Sequence, residues 1–524
     1  MNMFTFRDET AKTPEPQLAS MASSMNQDSE KGSISQDPST IEVQALESPP
    51  HHIFTRSRKL QMVCIVSMAA IFSPLSSNIY FPALEDVSRS LNVSMTQATL
   101  TITIYMIVQG LAPTFWGSLS DATGRRPVFI GTFVVYLVAN IALAESKNYG
   151  ELMVFRALQA AGSAATISIG AGVIGDITTS AERGSLVGIF GGVRMLGQGI
   201  GPVFGGLLTQ YLGYRSIFWF LTILGGLSLV SLLVLLPETL RPIAGNGTVM
   251  LRGLHKPFIY HFTSQPGVIE GAEPESQKAK VTWRTVCAPL KFLVERDVFI
   301  TLFFGSIVYT VWSMVTSSTT DLFGEVYDLS SLEIGMTFLG NGFGCMSGSY
   351  LVGYLMDYNH RLTEREYCEK HGYPVGTRVN LKSHSDFPIE VARMRNTWWI
   401  TGIFIVTTAT YGVSLRTHIA VPIILQYFIA FCATGIFTIN SALVIDLYPG
   451  ASASATAVNN LMRCLIGAAG VAAVQPILEA LGADYTFVLL AGITMGMAPL
   501  LWIEDRWGPG WRRAREQRLK AQKQ

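Results

Sequence analysis

Twelve long stretches of this 524-residue chain are apolar and almost free of charge. Nine contain no Asp, Glu, Lys or Arg, and the other three contain one arginine each. A helix needs about 20 apolar residues to cross a bilayer, and in lipid only helices or closed barrels satisfy their own backbone hydrogen bonds. We therefore predict an all-α polytopic membrane protein with twelve transmembrane helices. The charge-free stretches are 60–84, 90–120, 127–144, 216–237, 298–320, 334–356, 396–415, 417–445 and 485–503, and those with an arginine are 152–175, 184–210 and 454–478.

The basic residues lie mostly on one side of the predicted membrane. If the N-terminus is cytosolic, the gaps that face inward hold 28 of the 38 Lys and Arg, and the outward gaps hold only four. Cytoplasmic loops of membrane proteins are enriched in Lys and Arg. This distribution predicts that both termini are cytosolic, and we favour the plasma membrane as the location.

A polar segment divides the twelve stretches into six and six. It is rich in Pro, Gly and charged residues, which is typical of a linker. We therefore expect two six-helix bundles with polar segments before, between and after them. The predicted regions are a disordered cytosolic tail over 1–55, a first bundle over 56–237, a linker over 238–297, a second bundle over 298–503 with a long cytosolic loop over 356–395, and a basic cytosolic tail over 504–524.

The two halves share a repeated pattern of Gly, Asp and Arg. The first copy follows the second stretch, the second copy follows the eighth, and the offset between them is 236 residues. A later Asp–Arg pair also recurs, with an offset of 270 at its Asp, as expected if 356–395 contains an insertion. Internal duplication of this kind is typical of secondary transporters. The matching residues are Gly117, Asp121 and Arg125 with Gly353, Asp357 and Arg361, and Asp176 and Arg194 with Asp446 and Arg463.

The fifth stretch contains the most specific motif, Gly188-x8-Gly197-x3-Gly201-Pro202-x2-Gly205-Gly206. On this motif, and on Gly117, Asp121, Gly124, Arg125 and Arg126, the chain over roughly 56–506 resembles the major facilitator superfamily, and within it the twelve-span drug:proton antiporters. The stretches beginning at Arg215 and Pro237 resemble the fungal branch with quinidine and polyamine resistance exporters. The resemblance implies two pseudo-symmetric bundles and alternating access. It also implies a monomer that exports small molecules with a proton gradient and no bound cofactor.

The glycine motif and the charged loops are predicted to act in gating. Glycine lets a membrane helix approach its neighbour closely, and Pro202 removes a backbone donor and permits a bend. The alternative is that these small residues are ordinary packing. For Asp121, Arg125 and Arg126 we expect a charge latch between the two halves, repeated at Asp357 and Arg361. The alternative is that these arginines only set the topology.

Three arginines lie inside predicted spans, where a cation is costly unless it faces water or a partner. Arg194 and Arg463 lie at about the same depth in the two halves, so we expect them to flank one central site that binds an anion. The alternative is that they hydrogen-bond to carbonyl or amide groups and join helices. Arg156 lies closer to the outer end of its helix, where it either takes part in a proton relay with Gln159 or extends outward to the interface.

Polar and aromatic residues within the spans are further candidates for the cavity lining. We predict that Gln198, Asn459, Tyr80 and Trp312 contribute to substrate binding. Such residues also serve as interhelical hydrogen bonds or interface anchors.

The sequence favours a transporter over other classes of protein. It contains no Gly-x4-Gly-Lys-Ser/Thr loop for ATP, no clustered metal ligands and no Gly-x-Ser-x-Gly nucleophile motif. We predict partners that are a small-molecule solute and lipid, without nucleic acid or metal, and no enzymatic activity. The family branch favours export of drugs, toxins or secondary metabolites, whereas the unpaired arginines favour small organic acids such as di- and tricarboxylates. A membrane receptor that transports nothing is the less favoured alternative.

Overall fold

The computed structural model describes residues 52–178, 180–265, 268, 288–373, 386–447 and 452–521. Within these residues the regular secondary structure is helical, and eight segments are long and apolar enough to cross a bilayer. The predicted all-α membrane fold is confirmed. The predicted N-terminal tail up to residue 51, parts of the linker (266–267 and 269–287), part of the loop (374–385) and the last three residues (522–524) fall outside the described residues.

Six long helices form the first bundle, and the second bundle repeats them. The first six are α1 (Arg56–Asn78), α2 (Met95–Thr123), α3 (Arg125–Ala144), α4 (Tyr149–Ile177), α5 (Ser180–Leu212) and α6 (Arg215–Leu235). The next four are α7 (Arg296–Tyr327), α8 (Ser331–His371), α9 (Thr397–Ser414) and α10 (Ala420–Leu447). The segment Ser452–Met497 contains α11 and α12, which meet at Gly482, where φ is 73°.

Short helices connect or cap these long ones. The short α-helices are Leu84–Leu91, Arg241–Ala244 and Ile389–Met394, and the 3-10 helices are Phe81–Ala83, Gly253–His255, Phe258–His261 and Ala288–Val294. A longer helix, Pro499–Ala521, follows α12 and is here called the C-terminal helix. We call the end of the bundles that carries this helix and the start of α1 the terminal end, and the opposite end the distal end.

The segment predicted as a basic tail is a helix docked on the second bundle. Arg512 pairs with Glu390 at 3.0 Å and Arg515 pairs with Asp297 at 2.5 Å, and all four side chains are buried. Two of the basic residues that suggested a solvated tail therefore neutralise buried carboxylates. The predicted loop over 356–395 is also more ordered than expected, because α8 continues to His371.

The duplication is visible in the backbone as well as in the sequence. Asn92 and Asp328 both take the left-handed conformation, with φ of 54° and 52°. Two residues later, Ser94 and Ser330 begin α2 and α8 with the same reciprocal capping arrangement, in which a polar residue at the third helical position bonds back. Both pairs have the offset of 236 residues found in the sequence, so the two halves start their second helix in the same way.

The glycine motif brings α5 against two neighbours. A Cβ atom at Gly197 would lie 2.8 Å from the carbonyl oxygen of Ile71 in α1, and one at Gly205 would overlap the carbonyl oxygen of Ile79, the residue after α1. A Cβ atom at Gly206 would overlap the carbonyl oxygen of Ser331, at the start of α8. Because α1 belongs to the same bundle as α5 and α8 to the other, this glycine-lined contact packs one bundle internally and joins it to its partner.

Alanine substitutions at different glycines of the motif are expected to change stability by different amounts. Gly205→Ala places a methyl group against the Ile79 carbonyl, so we expect it to lower the free energy of unfolding by about 1–3 kcal/mol. Gly188→Ala has no atom within 4 Å of the new Cβ and is the matched control. Thermal unfolding of the two detergent-purified variants measures the difference, and equal midpoints would show that the close contact is not needed for stability.

Candidate functional site

A cleft lies between the two bundles, and its empty volume, counted with the open solvent in it, is about 640 Å³. Helices of both halves contribute to its wall. The lining residues are Ser73, Pro74, Ser77 and Asn78 of α1, Gln109 of α2, Ile167 of α4, Arg194, Met195 and Gln198 of α5, Tyr309 and Trp312 of α7, Ala433, Thr434 and Phe437 of α10, and Arg463 of α11.

Arg194 and Arg463 face this one cavity from opposite bundles. Arg463 donates a hydrogen bond to the Asn460 side chain at 2.7 Å, and its guanidinium lies 4.6 Å from the Tyr309 ring centre and 4.9 Å from that of Phe437. Among the described ion pairs, none involves either residue, so two positive charges stand together without a carboxylate.

Gln198 and Trp312 lie where the sequence analysis placed them, on the cavity wall. The Trp312 indole donates a hydrogen bond to the Asn341 side chain at 2.7 Å, which fixes the ring between α7 and α8. A second cavity of about 360 Å³ shares Gln198 and Trp312 with the first and continues toward the distal end, where Phe81 lines it.

The distal end of the route is closed by contacts between the bundles. The rings of Phe81 and Phe338 stack with centres 5.8 Å apart, and both side chains are buried. Thr320 donates a hydrogen bond to the Phe81 carbonyl at 2.8 Å, and Ser331 donates one to Asp86 at 3.1 Å. The central cavity therefore lies on the terminal side of a closed distal gate.

Arg156, Gln159 and Tyr80 lie outside the cavity, within the first bundle. Arg156 is fully buried, with its guanidinium 4.2 Å from the ring centre of Tyr80 and 4.6 Å from that of Tyr105. It donates hydrogen bonds to Gln159 at 2.7 Å and to the Ser76 carbonyl at 3.3 Å. These contacts rule out extension to the interface, and Tyr80 serves as a wall of the Arg156 pocket rather than of the cavity.

Asn459 also lies outside the cavity lining. Its amide donates a hydrogen bond to Ser441 at 2.8 Å, which joins α11 to α10. Sequence reasoning missed Tyr309 and Phe437, the two rings that flank Arg463. A usable signal exists for one of them, because Tyr309 lies three residues before Trp312 and so shares its helix face.

Asp121 and Arg125 form an ion pair inside the first bundle rather than between bundles. Arg125 contacts Asp121 four residues earlier and donates to Asp176 at the end of α4, at 3.0 Å. In this conformation the expected latch between halves is therefore a brace across α2, α3 and α4.

In the second bundle, the equivalent brace uses Arg393 and not Arg361, the residue that the sequence pattern indicated. Arg393 lies 3.7 Å from Asp357 and 2.8 Å from Asp446, whereas Arg361 is exposed on the extension of α8. The offset between Arg125 and Arg393 is 268 residues, close to the 270 between Asp176 and Asp446. An insertion between Asp357 and Arg393 accounts for this larger offset.

Arg126 and Glu238 attach the linker to the terminal end of the first bundle. Arg126 donates to the carbonyl groups of Leu233, Leu236 and Leu254. Glu238 accepts hydrogen bonds from the backbone amides of both Arg125 and Arg126. These contacts give Arg126 a structural role.

The pKa of the Glu238 carboxyl is lowered. Burial opposes its ionisation, but the hydrogen bond from His255 at 3.0 Å and those from backbone amides outweigh burial and lower the pKa below its usual value. A carboxylate with a lowered pKa stabilises the folded state above its unfolded pKa and loses this contribution as the pH falls through its folded pKa.

Replacing Arg393 tests the corrected brace. Arg393→Gln leaves Asp357 and Asp446 facing each other without a cation, so we expect the free energy of unfolding to fall by about 1–3 kcal/mol. Arg361→Gln removes an exposed charge and is expected to change it by less than about 0.5 kcal/mol. Thermal unfolding compares the two variants, and a larger effect of Arg361→Gln would contradict the assignment of the brace to Arg393.

Replacing Glu238 tests the attachment of the linker through its pH dependence. We expect Glu238→Gln to lower the thermal midpoint at pH 7, because the amide cannot accept all the bonds of the carboxylate. The difference from the parent should shrink as the pH falls below about 4.3, the usual glutamate pKa. Glu366→Gln, which removes an exposed ion pair, is the control, and a pH-independent difference would contradict the assignment.

Comparison with known proteins identifies similar chains. Residues 66–365 match the family described as Major Facilitator Superfamily. The chain is 82% identical over 515 residues to "Citrate exporter 1" of Aspergillus niger, with 98% of each chain covered. It is 30% identical over 470 residues to "Quinidine resistance protein 1" of Saccharomyces cerevisiae, covering 86% of this chain and 84% of that one. The resemblance to the quinidine resistance branch is confirmed.

A solved structure shows the same fold. The crystal structure of the human organic anion transporter MFSD10 (TETRAN) matches with a TM-score of 0.56, covering 87% of this chain and all of that one. The sequence identity is 16%, so the likeness supports the arrangement of the twelve helices.

Proposed function

This chain belongs to the Major Facilitator Superfamily, and we propose that it exports citrate or closely related di- and tricarboxylates by alternating access. One observation carries the proposal: Arg194 and Arg463 face a single cavity from opposite bundles, without a carboxylate paired to either among the described residues. Two fixed cations at the centre of a membrane protein favour an anionic solute.

The chemistry of the cavity suits a carboxylate. The planar guanidinium forms paired hydrogen bonds with a carboxylate group, and such charge-assisted bonds are about twice as strong as neutral ones. The amide of Gln198 supplies a neutral donor beside them. The name of the 82% identical relative supports the same solute class.

Export of cationic drugs is less consistent with this cavity. Tyr309, Trp312 and Phe437 provide aromatic surface, which suits an amphipathic solute, but the two arginines repel a cation. Neutral or anionic amphipathic compounds therefore remain the second candidate class.

We propose that the terminal end faces the cytosol and that the protein resides in the plasma membrane. The excess of Lys and Arg at that end supports this orientation. With the distal gate at Phe81 and Phe338 closed, this conformation is suited to load solute from the cytosol. Release requires that ring pair to separate while the terminal end closes. A single chain supplies the whole cavity, so we propose that it acts as a monomer.

Transport into vesicles tests the solute class. We expect Arg194→Gln or Arg463→Gln to raise the KM for citrate about 10- to 100-fold, since each loses a charge-assisted hydrogen bond of about 1.5–3 kcal/mol. Lys147→Gln, an exposed charge at the distal end, is the control and should leave the KM unchanged. Normal citrate transport by both arginine variants, or competition by cationic drugs but not by tricarboxylates, would contradict the proposal.

A further inference from the structure

The charged side chains that line the two connected cavities indicate the charge of the transported solute. Among the described residues that line the two connected cavities, the ionisable side chains are Arg194, Arg463 and Tyr309. Arginine keeps its proton at every physiological pH, and a tyrosine phenol is neutral near pH 7. The empty route therefore has a fixed charge of two positive units.

Both charges face one cavity in the membrane-spanning part of the protein. Arg463 is held there by Asn460 and by the ring of Tyr309, and Arg194 faces it from the other bundle. Two like charges that share a cavity repel each other, and a charge removed from bulk water is costly unless it is paired or hydrogen-bonded. A solute with two negative charges neutralises the pair, whereas a solute with one leaves a cation unpaired.

The groups around the arginines are neutral hydrogen-bonding side chains. Asn78, Gln109 and Gln198 surround them on three helices of the first bundle. Such groups bind a protonated carboxyl or a hydroxyl group without adding charge. The cavity therefore suits a carboxylic acid with two ionised carboxylates and additional neutral polar groups.

Arg156 is poorly placed to change protonation during the cycle. It is fully buried behind Tyr80 and Tyr105 and lies outside both cavities. Because its guanidinium also keeps its proton, the pair of Arg156 and Gln159 is better explained as an internal brace of the first bundle than as a proton carrier.

We propose that transport is electrogenic: each cycle carries one carboxylate dianion outward, and the inside-negative membrane potential supplies the driving force. The inference rests on the proposed function and specifies its energy source. The charged side chains of the protein return to their starting positions at the end of each cycle. The net charge that crosses the membrane per cycle is therefore the charge of the solute. For two charges, the equilibrium ratio of outside to inside solute changes tenfold for each 30 mV or so.

Proteoliposomes with citrate on both sides measure this ratio directly. A potassium gradient with valinomycin sets the potential, and strong buffer keeps the pH equal on the two sides. The equilibrium ratio is independent of the orientation of the protein in the vesicle. We expect citrate to redistribute tenfold for each 30 mV or so, and an imposed pH gradient at zero potential to leave the concentration ratio of the citrate dianion at one.

The possible outcomes distinguish a failure of electrogenic transport from a failure of the proposed citrate export. Citrate movement that follows the pH gradient and ignores the potential would overturn electrogenic export and restore proton antiport, while citrate export itself would stand. A redistribution of tenfold for each 20 mV or so would show a trianion as cargo and overturn the charge assignment. Vesicles that move no citrate under either gradient would overturn the proposed function.

Competition tests whether the arginine pair sets the preference for two charges. We expect Arg463→Gln to raise the half-inhibitory concentration of succinate, a dicarboxylate, at least tenfold, with little change for acetate, a monocarboxylate. Lys147→Gln should behave as the parent. If Arg463→Gln does not fold, Arg194→Gln makes the same test from the other bundle. Unchanged competition by succinate in a folded variant would contradict the role of the pair.

Discussion

A positive charge inside a bilayer constrains everything around it. The cost of a guanidinium at mid-membrane is large unless it faces a hydrated cavity or an acceptor. Arg194 and Arg463 meet this condition by facing a shared cavity, and that cavity exists only because two bundles lean against each other with a gap between them. The position of these two side chains therefore explains why the chain needs two halves and why neither half forms a complete site.

Arg156 is also an arginine inside the membrane-spanning part of the protein, but its charge is stabilised differently. Arg156 is enclosed by two tyrosine rings and an amide, so its charge is stabilised by the protein alone. Arg463 also contacts aromatic rings, but part of its guanidinium faces the cavity. Sequence shows that both are intramembrane arginines. It does not show the rotation of each helix about its axis, and that rotation decides which arginine faces the cavity.

The features that could be predicted from the sequence are those with a periodic or compositional signal. The long apolar stretches predict the helices, and the repeat at Asp121 and Asp357 predicts the duplication, because both depend on local pattern. The brace at Arg393 could not be predicted in this way, since an insertion separates it from Asp357. The docking of the C-terminal helix could not be predicted either, because the partner of Arg512 is distant in sequence. Arg512 reads as a solvent-exposed charge until its buried partner, Glu390, is known.

The closed distal gate depends on contacts that are individually weak. Helices in lipid associate without a hydrophobic driving force between them, through close packing and a few hydrogen bonds. The contact of Gly206 with α8, the stacked rings of Phe81 and Phe338, and the hydrogen bond from Thr320 are interactions of this kind. A gate built from strong ion pairs would hold one state too firmly. In the proposed export cycle, a gate built from small residues and rings lets a solute bound in the cavity shift the balance between two conformations of similar free energy.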